Sequence, residues 1–315
     1  MKIVILATEA SGDYLASELI KSLKKKYKSI EIFGVGGELM EKNGLISWLP
    51  ITEFNAIGIF EVVIRILKFI KLINFIEKQI RKINPSIIIT VDSPSFSYRV
   101  VKKIQDLRKN TRIIHYVAPT VWAWKSYRSK IFAKLYDQIY TLFRFEPPYF
   151  AKHGLDSLFV GHQIFFKKKR NRNKKNIISF LPGSRNIEIK NNMKKITSVI
   201  LECEKKLKKF QIYILTFEHS KEMIRSFIKS NKVKLITDYN KKQLLMKNSH
   251  LAVAASGSVT LELINYNTPT VVFYDTHWFT KMIIKNFVKV KFASIINIFY
   301  EKEVIPEFLF EKFEP

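Results

Sequence analysis

The chain has 315 residues, 47% of them hydrophobic and one of them cysteine, and 54 Lys and Arg outweigh 27 Asp and Glu to give a formal charge of +27. That size allows one or two full cores and favours two domains, while a lone Cys203 excludes an internal disulfide or a cysteine-built metal cluster and suits a reducing cytosolic compartment. The cationic excess implies attraction to phosphates, anionic lipids or nucleic acid, although the joint abundance of Lys, Ile, Asn and Phe is also what AT-rich coding produces with no ligand involved.

The opening MKIVILATEASGD reads as a short apolar strand over residues 3–7 that passes at once into Glu9 and Asp13. It is too short for a signal-peptide core or a membrane span, and no later stretch is long and uncharged enough to span, so the protein is expected to stay inside the cell and at most lie on a membrane. The turn Thr8-Glu9-Ala10-Ser11-Gly12-Asp13 follows this strand, and Gly34-Val35-Gly36-Gly37 follows a second strand at 30–35. The GVGG turn lacks the complete dinucleotide fingerprint, so no NAD is inferred. Residues 61–82 interleave Val63, Ile66, Leu67 and Ile70 with Arg65, Lys68 and Lys71, the pattern of a basic amphipathic helix. Its apolar cover is wider than one core face needs, which suits an anionic headgroup layer; burial against its own sheet is the alternative.

Asp92 follows an apolar strand at 87–91 and precedes Ser93 and Pro94. A carboxylate at a strand end is placed as a general base for an acceptor hydroxyl, with proline fixing the turn, and helix capping is the competing role. The strand at 113–117 runs into HYVAPTVWAWK at 115–125, where His115, Trp122 and Trp124 crowd beside Lys125 and Arg128. Flat aromatic faces suit sugar or acyl surface and the cations suit phosphate; tryptophans in the core around a satisfied buried histidine are equally open.

A strand at 138–142 closes the first half, and FKKKRNRNKKN at 166–176 reads as a basic linker, since no aromatic interleaves its cationic core as a nucleic-acid arm would require. Strands resume at 177–181, 211–216, 234–237, 251–255 and 270–274. Strands spaced by helical patterns predict an α/β chain of two Rossmann-like halves, with ligands at the strand C-terminal ends in a crevice between them. In IISFLPGSR at 177–185 an apolar run breaks into a turn where Gly183 and Ser184 let amides approach an anion and Arg185 adds a fork-shaped cation. That is chemistry for a diphosphate, against the alternative of an ordinary turn with a solvent-facing arginine. Ser256-Gly257-Ser258 repeats the pattern after the strand at 251–255, and Glu262 about one turn on suits a ribose diol or, more simply, a helix N-terminus.

Taken in order, EASGD at 9–13, GGELM at 36–40, GIFEV at 58–62, VDSP at 91–94, HYVAPTVWAWK at 115–125, FE at 145–146, VGH at 160–162, LPGSR at 181–185, ASGS at 255–258 with Leu261 and Glu262, and Asn297 make the chain resemble the lipid-A-disaccharide synthases nearly end to end. The resemblance implies a GT-B fold, with an acceptor- and membrane-binding domain over 1–165 and a UDP-sugar-binding domain over 177–315. It implies no metal and no cofactor, UDP-sugar being a substrate. The reaction would be inverting transfer of 2,3-diacylglucosamine from UDP-2,3-diacylglucosamine to the 6-hydroxyl of 2,3-diacylglucosamine 1-phosphate. Asp92 would be the base. Gly183, Ser184, Arg185, Ser256, Gly257 and Ser258 would hold the diphosphate, Glu262 the ribose, and Asn297 would line the site. Glu9, Ser11, Gly12, Asp13, His115, Trp122 and Trp124 would surround the sugars. The helix carrying Val63, Arg65, Ile66, Leu67, Lys68, Ile70 and Lys71 would dock on the cytoplasmic face of an anionic inner membrane, with no nucleic-acid partner. Two positions depart from the family pattern: Ser95 stands where a second aspartate is usual, and Phe310 where glutamine is usual. The family also continues for several tens of helical residues past the position of Pro315, so the C-terminal helices are expected to be missing, and a homo-oligomer is left open. A non-catalytic membrane-surface or UDP-binding remnant, and a GT-B transferase with a polyprenyl-linked acceptor, are the alternative functions.

Overall fold

A computed structural model describes residues 1–55, 62–123, 125–166, 175–184, 186–274 and 292–309. Trp124, Arg185, Phe310, residues 58–61 of the GIFEV motif and the linker core at 167–174 therefore lie outside the described residues, and of Val63, Arg65 and Ile66 only the backbone is described. The chain divides into two compact units, Met1–Gln163 and Ile164–Pro315.

The first unit is built on seven strands, β1 Lys2–Ala7, β2 Glu31–Gly36, β3 Leu45–Pro50, β4 Ile87–Val91, β5 Arg112–Tyr116, β6 Gln138–Thr141 and β7 Asp156–Phe159, in the order β3-β2-β1-β4-β5-β6-β7. The pairings are parallel. Parallel strands covered by helices on both faces bury every residue, which is why β1 and β4 read as unbroken apolar runs. Alternate residues go to opposite cores. Val4, Leu6, Ile88 and Ile113 meet Ile73, Ile76 and Ile80 of the helix Val62–Ile83, while Ile3, Ile5, Ala7, Ile89 and Val91 meet Leu15, Ala16 and Ile20 of the helix Ala10–Lys26.

The second unit repeats the plan with β8 Lys175–Leu181, β9 Gln211–Leu215, β10 Val233–Ile236, β11 Ser249–Ala255, β12 Thr270–Tyr274 and β13 Glu307–Leu309, ordered β10-β9-β8-β11-β12-β13 and again parallel. The helix Asn186–Lys206 lays Ile189, Met193, Ile196 and Ile200 along one face, at the spacing of a helical stripe, against Phe180, Ile212 and Ile214. The strands expected from the sequence are present. Those not expected are β3, β7 and β13, which all sit at sheet edges; DSLF of β7 and EFL of β13 are short and partly solvated and carry little apolar signal, whereas LISWLP of β3 is apolar and was missed by sequence reasoning. Among the described residues no helix is long and apolar enough to cross a membrane.

Phe180 is fully buried between β8 and its covering helix, so Phe180→Ala should cost about 3–5 kcal/mol of stability in urea unfolding, whereas Leu201→Ala on the exposed face of that helix should change it by no more than about 0.5 kcal/mol. Equal losses at the two positions would contradict this assignment of faces.

Candidate functional site

In a parallel sheet the strand order reverses at one point, and the loops leaving the two strands there diverge to opposite faces and open a crevice at their C-terminal ends. In the first unit that point lies between β1 and β4, which pair with Ala7 opposite Val91. Glu9 and Ser11 leave the end of β1; Asp92 and Ser93 leave the end of β4. Two consecutive residues there, Asp92 at φ 54° and Ser93 at φ 45°, take the left-handed conformation. Non-glycine residues adopt it at some energetic disadvantage, Asp and Asn least of all.

Hydrogen bonds lock this turn. The Asp92 amide donates to the Tyr116 carbonyl at 2.9 Å, and the Ser97 hydroxyl donates to the Asp92 carbonyl at 2.9 Å. Each carboxylate oxygen of Asp92 has its own donor, the Ser93 amide on Oδ1 at 2.8 Å and the Ser11 hydroxyl on Oδ2 at 3.0 Å. Ser93 Oγ in turn donates to Glu9 Oε1 at 3.1 Å and accepts from Thr8 Oγ1 at 2.9 Å, so one serine links both acidic side chains. The N-cap of the following helix, Pro94–Lys103, is Ser93, which leaves Asp92 free of the capping role. Ser95, the departure from the family motif, accepts at its hydroxyl from Arg128 Nη2 at 2.9 Å.

Other expected site residues serve the framework. Gly12 is buried, and a Cβ on it would stand 3.3 Å from the Val91 carbonyl oxygen. Asp13, only 5% exposed, accepts from the amides of Gly37 at 2.8 Å, Leu39 at 3.2 Å and Met40 at 3.1 Å, tying down the glycine turn after β2. His115 corrects the sugar-binding expectation: it has 0% exposure, with its Nδ1 2.7 Å from Thr90 Oγ1 and its ring packed edge-on against Phe132. Burial pushes its pKa down to about 3, outweighing an opposite contribution from the Val117 backbone, so it is a neutral core residue. Trp122 is half-buried and donates through Nε1 to Glu146 at 3.3 Å, with its ring edge-on to Phe145 at 5.4 Å.

The second unit reverses its strand order between β8 and β11. The two turns singled out in the sequence leave those two strands. After β8, Gly183 sits at φ 119°, and a Cβ there would come within 2.5 Å of Glu188 Oε2, so glycine is required. Glu188 accepts from the Ser184 amide at 3.2 Å, and Asn192 donates to the Pro182 carbonyl at 2.8 Å. After β11, the Ser256 amide donates to the Phe273 carbonyl and its hydroxyl to the Ala293 carbonyl at 2.7 Å. Gly257 and Ser258 are exposed, and among the described residues a Cβ on Gly257 would meet no atom within 4 Å beyond its chain neighbours. Glu262 is half-buried and accepts from Gln243 Nε2 at 2.8 Å.

Asn297 also departs from its expected place as a lining residue. It has 0% exposure, and its amide is fully engaged inside the unit: Nδ2 donates to the Ile305 carbonyl and to Glu307 Oε1, both at 2.7 Å, and Oδ1 accepts from the amides of Val304 at 2.8 Å and Ile305 at 2.9 Å. Two donors and two lone pairs exhaust an amide side chain. Glu307 accepts as well from the amides of Ala293 at 2.8 Å and Ser294 at 2.7 Å. Asn297 and Glu307 thus shape the backbone that Ser256 leans on. Sequence reasoning missed Glu307 and Glu146, although both lie in recognisable short motifs, PEFL and FE. Among the described residues no group of three or more His, Cys, Asp or Glu is arranged to hold a metal ion.

The family model described as lipid-A-disaccharide synthetase matches residues 3–315. The lipid-A-disaccharide synthase of Rickettsia bellii (strain OSU 85-389) is 36% identical over 322 residues, covering 98% of this chain and 84% of that protein. That of Rickettsia prowazekii (strain Madrid E) is 36% identical over 321 residues with the same coverage. Among solved structures, UDP-GlcNAc 2-epimerase from Neisseria meningitidis bound to UDP-GlcNAc superposes with a TM-score of 0.65 at 14% identity over 96% of this chain and 90% of that one. S. aureus MnaA with UDP superposes at 0.62 and 12% identity over 95% and 86%. These likenesses show the GT-B type of fold, two parallel-sheet α/β units.

Glu146 yields a test of the first unit. It is 2% exposed, and burial pushes its carboxyl from the ordinary 4.5 up to about 7 despite donors from Phe143, Trp122 and Leu142. The folded chain holds this proton where the unfolded chain has lost it, so the stability it contributes is full below about pH 4.5 and is lost as pH rises through about 7. His115 and His162, held by burial at about 3 and about 4, act with the opposite sign below about pH 6.5. Glu146→Gln is therefore expected to flatten the fall in stability between about pH 5 and about pH 8, by up to about 3 kcal/mol relative to the parent. Parallel thermal-melt profiles for the two proteins would refute it.

Proposed function

The chain belongs to the lipid-A-disaccharide synthetase family, and we propose that it transfers 2,3-diacylglucosamine, with inversion, from UDP-2,3-diacylglucosamine to the 6-hydroxyl of 2,3-diacylglucosamine 1-phosphate. In this reading Asp92 takes the proton of the acceptor hydroxyl as O6 forms its bond to the anomeric carbon; the bond from that carbon to the diphosphate breaks, and UDP departs with the electron pair. The observation that carries the assignment is the turn after β4. Its left-handed backbone and paired donors fix the Asp92 carboxylate at the strand-order reversal, where a general base can meet a hydroxyl. Ser11 and the Ser93 amide each hold one oxygen of that carboxylate, which fixes its plane.

On the donor side, Arg185, the 183–184 turn once Glu188 yields the Ser184 amide, and the amides of Gly257 and Ser258 in the turn that Ser256 anchors to the sheet would receive the diphosphate and offset the charge that builds on it as the bond breaks. The exposure of Gly257 and Ser258 among the described residues supports this role. Glu262 would accept from the ribose hydroxyls. UDP and UDP-sugar binding by structures of the same fold supports a uridine-nucleotide donor.

For the acceptor we infer delivery from a lipid surface. The helix Val62–Ile83 buries Ile73, Ile76 and Ile80 but leaves Leu67 56% and Ile70 46% exposed, with Lys71 exposed beside them at helical spacing. An apolar ridge edged by lysine is suited to the headgroup layer of an anionic membrane.

With UDP-2,3-diacylglucosamine and the lipid monosaccharide phosphate presented in mixed micelles, the protein should release UDP and form the disaccharide in equal amounts. Asp92→Asn, which keeps the left-handed backbone and side-chain shape, should lower kcat by about 10²–10⁴-fold. Absence of UDP release by the parent would overturn the assignment, and undiminished turnover by the variant would remove Asp92 from it. Leu67→Glu combined with Ile70→Glu should weaken co-sedimentation with anionic vesicles by about tenfold or more while leaving the melting temperature near the parent's; unchanged vesicle binding would exclude this face.

A further inference from the structure

Glu262 and Tyr266 lie four residues apart, one helical turn, at the helix Val259–Asn265 and its C-cap. Gln243, from the helix Tyr239–Asn248, bridges them. Its Nε2 donates to Glu262 Oε2 at 2.8 Å, and its Oε1 accepts from the Tyr266 hydroxyl. Glu262 demands the NH₂ end of the amide, and Tyr266 offers a hydroxyl proton to the carbonyl end, so both partners impose the same orientation. Flipping the amide would set a carbonyl against a carboxylate. All three side chains are half-buried, a setting in which such bonds are better kept from competing water than on an open surface.

The bridge is itself fixed to the sheet. Asp238 caps the Gln243 helix by accepting from the Lys241 amide at 2.8 Å. Lys242, next to Gln243, donates to the Thr216 carbonyl at the end of β9 at 2.8 Å and lies 4.2 Å from the Phe217 ring centroid. Burial lowers the Lys242 pKa, and Glu262 and Asp238 act against that shift, which places the lysine within electrostatic reach of the carboxylate. A carboxylate that is to take two hydroxyls of one ring must have its plane settled beforehand, and the Gln243 bond fixes that plane.

We propose that Gln243 is a positioning residue that orients Glu262 toward the vicinal hydroxyls of the donor ribose, an inference that rests on the ribose role given to Glu262 above. Gln243 acts through the carboxylate it holds, so its loss should affect discrimination between sugars of the nucleoside more than the chemical step.

The full chain is titrated calorimetrically with UDP and with 2′-deoxyuridine 5′-diphosphate. The ratio of the two affinities cancels diphosphate and base contacts common to both ligands and isolates the diol. The parent should prefer UDP by about tenfold or more. Gln243→Leu should reduce that preference at least about threefold and raise KM for the UDP-sugar with kcat within about twofold. Gln243→Glu, which keeps the shape but removes the donor and adds a like charge, should reduce the preference further. It decides the question if the leucine variant does not fold. An unchanged preference in a folded variant overturns the role of Gln243 while leaving Glu262 as the ribose acceptor. A parent that binds both nucleotides equally overturns the ribose reading, and the positioning role with it.

Discussion

Each unit is organised by the reversal of strand order beside its first strand. A parallel sheet cannot carry chemistry in its interior, because both faces are covered by helices and every alternate residue is committed to one apolar core or the other. What remains are the loops at the C-terminal ends, and only between β1 and β4, and between β8 and β11, do those loops part. The acidic pair of Glu9 and Asp92 stands at the first of these points, and the two small-residue turns stand at the second. Burial of isoleucine and valine therefore decides where a carboxylate or an amide can be presented, before any contact with a ligand is considered.

A second layer of polar groups, hydrogen-bonded inside each unit, gives the presented groups their shape. Asp13 gathers three amides of the turn after β2, Glu146 gathers two amides and the Trp122 indole, and Asn297 with Glu307 knits residues 293–307 into a support for Ser256. A buried donor or acceptor without a partner is expensive, so such groups persist only as closed sets. This explains why residues within the same short motif divide between surface chemistry and interior bracing, as Ser11 and Asp13 do within EASGD.

Central strands were legible in the sequence because residues buried on both faces leave continuous runs such as KIVILA and IIITV. The edge strands β7 and β13 were not, since DSLF and EFL are too short and too exposed to leave one. Asp92 and the glycine turns could be located because a strand followed by a small or acidic residue is a local pattern. The separate roles of His115 and Asn297 could not, because whether an imidazole or amide faces ligand or core depends on Phe132, Thr90, Ile305 and Glu307, none of which is a sequence neighbour close enough to signal it. Family resemblance grouped these residues without distinguishing what each one touches.

Glu188 carries a consequence for how an anion would come and go at the LPGSR turn. Its carboxylate already engages the Ser184 amide and lies against Gly183, so the turn is not a bare cluster of donors awaiting charge. On the proposed reading, a diphosphate settling there would exchange one anionic partner for another, and the side chain it displaced would stay tethered one helical turn away. Such an internal rival would weaken the grip on nucleotide but would also refill the turn as product withdrew, favouring turnover over retention.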